Sequence, residues 1–181
     1  HPYVFEEQVF GGSVPKNYFP AVEKGVQEGC EKGPLAGYPV VGVKAILLDG
    51  SYHPVDSSDM AFKTASNMAF KDAFMKCQPI LLEPIASIKV TVPDANTGDI
   101  MGDMTKRRGR VLGMESIGHG KQVIQAEVPM SNLYGYGTDL RSMTGGTGDY
   151  EYSFARYEQA PGDVQNQIVE ENAAQNAAQG N

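Results

Sequence analysis

Two places in the chain, and its three histidines, hold residues whose types could do chemistry. The run Gly118–His119–Gly120–Lys121 contains the Gly-Lys pair of a phosphate-cradling loop. That loop has the form G-x-x-x-x-G-K-[ST], with backbone amides around the phosphates and a hydroxyl on Mg²⁺. Here Glu115 stands where the first Gly belongs and Gln122 where the hydroxyl belongs, so GHGK reads as a tight reversing turn. Asp99 and Asp103, four apart, could pair two carboxylates on one helix face, but that spacing reads better as a solvated helix surface. His1, His53 and His119 are dispersed, and no His-x-x-x-His or Cys/His cluster could build a metal site. No G-x-S-x-G elbow occurs. The residues encode no catalytic constellation, and no cofactor is expected of this stretch.

Two segments have the composition of contact surfaces. Asp49 to Asp56 (DGSYHPVD) places Tyr52 and His53 beside the turn-permitting Gly50 and Ser51, which suits stacking on bases or hydrogen bonding to an RNA sugar edge. Gly98 to Gly109 (GDIMGDMTKRRG) ends in Lys106, Arg107 and Arg108, with Arg110 just beyond. A cation cluster of this kind fits phosphate contact or a solvated helix end that complements the helix dipole. The whole chain carries a net charge of −7, which argues against a general nucleic-acid binder. The basic window is therefore a local patch on an acidic protein.

The elements that must position these segments can be read from periodicity. Residues 3–10 form a strand-like run ended by Gly11–Gly12. Pro15 and Pro20 each suit a first helical turn, and Val22, Val26 and Cys30 then share one helix face. Gly33–Pro34 predicts the stop, with Gly33 as a left-handed cap. Val40 to Leu48 predicts a largely buried strand. Ser57 is a suitable N-cap for a helix lined by Phe62, Ala65, Ala69, Ala73 and Cys77, widened by Met68, Phe70 and Phe74. Both cysteines, Cys30 and Cys77, are expected on buried helix faces as reduced thiols.

Beyond the proline-flanked connection 78–84, the order is strand 85–92, helix 97–107, strand 110–117, turn, strand 122–128, helix from Ser131, and strand 149–157. That is β-α-β-β-α-β, the split pattern of a ferredoxin-like domain. The fold class is thus α+β in two small domains: a β-α-β-α unit over 1–80 and the ferredoxin-like unit over 84–160. The polar tail 161–181 is expected to start as a short helix and then lose order, for want of apolar surface. No run of about 18 apolar residues or signal-peptide pattern occurs, so a soluble protein with no membrane partner is expected. The opening His1–Pro2, without Met, suggests a piece of a longer chain.

Several strings resemble elongation factor G. GGSVPKNYFP (11–20), LAGYPVV (35–41) and DGSYHPVDSSDMAFK (49–63) are similar to its fourth domain. LEP (82–84), GDMTKRRGRVLG (102–113) and YGYGTDLRS (134–142) are similar to its fifth, in the same order. The resemblance implies a ribosomal-protein-S5-like first unit, short of its N-terminal strands and of a Gly-rich second tip loop. An open sheet edge of that kind would permit a weak homodimer. It further implies a cytoplasmic translational GTPase whose GTP and Mg²⁺ sit in another domain. Gly50, Ser51, Tyr52 and His53 would form the tip that enters the decoding A site, against 16S rRNA and the tRNA–mRNA duplex. Lys106, Arg107, Arg108 and Arg110 would contact 23S rRNA and proteins at the large-subunit stalk base. A ribosome-protection factor or other paralogous translational GTPase, or a stand-alone RNA-binding module, are the competing readings.

Overall fold

The computed structural model describes residues 3–180, and His1 lies outside them. The chain divides into two compact units, one running from Leu82 to Ala160 and the other comprising the residues up to Leu81 with those from Pro161 onward.

In the first unit, β1 (Tyr3–Glu7) and β2 (Val43–Leu47) pair in parallel, Tyr3 opposite Val43 and Glu7 opposite Leu47. They are joined through α1 (Phe19–Glu31), which begins with Pro20 in its first turn. Tyr3, Phe5, Val43 and Ala45 face a small core of Val26, Cys30 and Val40, together with Phe70 and Phe74. Burial pushes the Cys30 thiol pKa up. The other face of the pair stays open, with Val4, Ile46 and Leu48 exposed, so β2 alternates where a largely buried strand was expected. A two-stranded sheet has helices on only one side to cover it.

The fourth element, α2 (Asp59–Lys76), is capped by Ser58, whose hydroxyl accepts from the Ala61 amide at 3.1 Å. It meets α1 through Phe62, Lys63, Ser66, Asn67, Phe70 and Phe74, the partly buried stripe, while Ala65, Ala69, Ala73 and Cys77 are exposed. The expected alanine face is therefore the outer one, and Cys77 is a surface thiol. The cause lies on α1. A Cβ at Gly25 would sit 2.3 Å from the Lys63 carbonyl oxygen, and one at Gly29 would sit 2.6 Å from Phe70 Cδ1. Glycines on one helix admit the large side chains of the other, and Asn67 Nδ2 donates to the Gly25 carbonyl at 3.0 Å. Gly33 likewise serves by size: it has no positive φ, but a Cβ there would lie 2.7 Å from Val40 Cγ2.

The second unit is a four-stranded antiparallel sheet in the order β4–β5–β3–β6. Its strands are β3 (Leu82–Pro93), β4 (Arg110–Gly118), β5 (Lys121–Pro129) and β6 (Asp149–Gln159), with α3 (Thr97–Lys106) and α4 (Tyr136–Thr144) as the crossings. This is the ferredoxin-like arrangement. GHGK is the β4–β5 turn, with positive φ at Gly118, His119 and Gly120. Ile88, Val90, Val92, Ile124, Ala126 and Val128 fill one sheet face and meet Ile100, Met104, Tyr136 and Leu140 from the helices. The helix expected from Ser131 starts later. A 3-10 turn over Met130–Leu133 comes first, then extended Tyr134, then Gly135 at φ 72°, which redirects the chain into α4.

The tail is also more ordered than expected. Gly162–Gln179 forms α5, belonging to the first unit. Its partly buried stripe is Val164, Gln165, Ile168, Val169 and Asn172. Gln165 accepts from the Leu81 amide at 2.9 Å, and Gly37 leaves room for Asn172 Oδ1. Alanine and glutamine are strong helix formers, so the final turns continue the docked segment although 173–180 bury nothing. Among the described residues no helix is long and apolar enough to cross a membrane, and no group of three or more His, Cys, Asp or Glu is placed to hold a metal.

Candidate ribosome-contacting surfaces

The loop 49–57 leaves β2 and enters α2, and its base is braced. The Asp49 carboxylate accepts from the Gly50 amide at 2.8 Å. A Cβ on Gly50 would lie 2.6 Å from Val14 Cγ2, and Val14 is itself buried, so only glycine lets the loop close on the 11–15 segment. The Tyr52 ring leans on Tyr18 at 5.8 Å, and Tyr18 stacks on Phe62 at 4.5 Å. At the far side the His53 amide donates to Ser57 Oγ at 2.8 Å, while the Ser57 amide donates back to the His53 carbonyl at 2.9 Å. The result is a short projection with a fixed stem. Ser51 and the His53 imidazole are exposed at its end, and the imidazole Nδ1 is 3.8 Å from an equally open Asp56 carboxylate. Such a distance between solvated groups fixes little, which leaves the ring available to an outside partner. Gly50, Ser51, Tyr52 and His53, consecutive in the chain, all lie in this exposed loop.

The basic window behaves differently. The Arg107 side chain is only 13% exposed and bonds Asp103 Oδ2 at 2.9 Å and Asp139. It also donates to the Asn132 carbonyl at 2.8 Å and lies 4.9 Å from the centre of the Tyr136 ring. Asn132 Nδ2 returns a bond to the Arg107 carbonyl at 2.8 Å. Arg108, at φ 58°, makes a two-pronged bridge to Glu83 at 3.0 and 2.8 Å. Arg110 is exposed but reaches Glu127 at 3.0 Å. Hydrogen bonds from Arg156, then Arg110, pull the Glu127 carboxyl down to about 2. Lys106 is the exposed cation of this window with no carboxylate partner among the described residues. The sequence therefore located the cluster but not its division of labour: Arg107 and Arg108 tie α3 to neighbouring elements. Asn132, Asp139 and Glu83, their partners, carry no signal detectable in sequence because they are distant along the chain. Asp103, four residues before Arg107, was the one legible partner.

Two family models match in succession. Residues 1–78 match elongation factor G, domain IV, and residues 80–168 match the elongation factor G C-terminus. The chain belongs to the elongation factor G family. Its first unit is the domain IV type and its second the C-terminal, ferredoxin-like type, with most of α5 lying beyond the second match. A solved crystal structure of a protein from Thermus thermophilus is similar, at 44% identity and a TM-score of 0.77 over 96% of this chain. The chain spans 26% of the length of that protein. In elongation factor G terms, the braced loop belongs to domain IV and the basic window to the C-terminal domain.

Proposed function

We propose that the chain is the ribosome-engaging part of a GTPase that promotes tRNA–mRNA translocation in the cytoplasm, with no membrane partner. Domain IV would enter the decoding A site through Gly50, Ser51, Tyr52 and His53, against 16S rRNA and the tRNA–mRNA duplex. The C-terminal domain would contact 23S rRNA and proteins at the stalk base, with Lys106 as an exposed cation unpaired among the described residues and Arg110 as an exposed cation shared with Glu127. Arg107 and Arg108 would shape that surface from behind. GTP and Mg²⁺ would act in another domain of the parent factor. The open outer edges of the β1–β2 pair would allow weak pairing of two copies.

The observation that carries this reading is the loop 49–57, whose stem is locked while Ser51 and His53 stay open to an outside partner. A projection held in this way can enter a cleft without first being ordered, which removes an entropic cost of binding. The test is directed cleavage of rRNA in an intact factor carrying these domains. Ser51→Cys, combined with Cys77→Ser, would hold a tethered iron chelate at the tip. Strand scission confined to the decoding region of 16S rRNA is expected. Scission elsewhere, or none above the chelate-free background, would contradict the placement.

A further inference from the structure

Tyr134 is 95% exposed, and no large apolar or aromatic side chain among the described residues is more so. A single exposed aromatic is ordinary on a protein surface, but this one is held there. Leu133 before it and Tyr136 after it are both buried, and Gly135 between them turns the chain at φ 72°. Two residues upstream, Asn132 is tied to Arg107 by reciprocal hydrogen bonds of 2.8 Å. The loop is thus fastened on both sides of the projecting ring, so its placement costs little further ordering on contact.

The charges around it are also sorted. Arg107 occupies the Asp103 and Asp139 carboxylates, which removes the nearby acids from play. Lys106, next in the chain to Arg107, has no carboxylate partner among the described residues. Arg141 folds back along α4, its Nε donating to the Gly137 carbonyl at 3.1 Å, and it too lacks a carboxylate partner there. An exposed, fastened aromatic ring on a loop tied to Arg107, with Lys106 and Arg141 near it in the chain and neither held by a carboxylate among the described residues, matches a stacked base with adjoining phosphates. A peptide partner would need acidic residues to meet the cations and offers the ring no comparable flat face.

We propose that Tyr134 is a base-stacking anchor for RNA, with Lys106 and Arg141 reaching the adjoining phosphates. This deepens the ribosome reading and rests on it. The chain contains no tryptophan, so Tyr134→Trp supplies a single emitter at the site, while a dye on the exposed Cys77 reports binding as such. Titration with purified ribosomes should give saturable dye anisotropy and quenched Trp emission, both weakening as salt rises. Tyr134→Ala should weaken binding at least about fivefold, the low end for one stacked base, and Tyr134→Phe should stay within about twofold of the parent. Anisotropy without quenching, with Ala and parent binding alike, overturns the anchor and leaves the ribosome reading standing. Quenching that ignores salt would assign the ring to a protein surface and also overturn it. No anisotropy change with ribosomes would remove both.

Discussion

A guanidinium that bonds two carboxylates and a carbonyl, with an aromatic ring beneath it, cannot hold a phosphate without giving up those bonds. Arg107 is in that position, and the consequence can be separated from that of its neighbour. Arg107→Ala should destabilise the second unit by about 2–3 kcal/mol in urea unfolding. Leaving Asp103 largely buried without its partner is costly, and the partial exposure of Asp139 moderates the loss. Lys106→Ala should change stability by less than about 0.5 kcal/mol, yet lower ribosome association and reduce its salt slope by about one released counterion. If Lys106→Ala leaves the salt slope unchanged, the lysine is a solvated helix end. At this scale the sequence showed that cations cluster, because spacing along the chain is visible. It could not show which are consumed, because Glu83, Asp139 and Asn132 meet them only through the fold.

Between α1 and α2 the decisive feature is what one helix lacks. Gly25 and Gly29, four apart, form a shallow surface that Ser66, Asn67 and Phe70 enter. Replacing Gly25 by Ala would gain about 1 kcal/mol of helix propensity. The new methyl, however, would lie 2.3 Å from the Lys63 carbonyl oxygen, a backbone atom that cannot swing aside. The expected net outcome is destabilisation of the first unit by about 1–3 kcal/mol, read as a lower unfolding midpoint; an unchanged or raised midpoint would contradict the contact. The same pair explains why the alanine stripe of α2 was a misleading guide. Ala65, Ala69 and Ala73 repeat at helical spacing, but so do Phe62, Ser66, Phe70 and Phe74. Only the glycines on α1 decide between them. The ferredoxin-like unit was more legible, since its alternating strands and GHGK turn carry their register locally. Helix α5 was less so, because its order depends on the Gln165–Leu81 and Asn172–Gly37 contacts.

At the scale of the molecule, a chain of net charge −7 presents two small candidate contact surfaces, the 49–57 loop of the first unit and the Lys106–Tyr134 region of the second. In the 49–57 loop, His53 is the exposed side chain whose loss reads out most directly. In an intact elongation factor G with these domains, His53→Ala should slow tRNA–mRNA movement by roughly tenfold, about 1.4 kcal/mol of lost transition-state interaction. GTP hydrolysis on the ribosome should remain near the parent rate, because that chemistry belongs to another domain. Rapid kinetics of both steps on the one variant gives the answer. Slowed movement with normal hydrolysis is the predicted result, and unchanged movement would contradict the assignment of this loop to the decoding site.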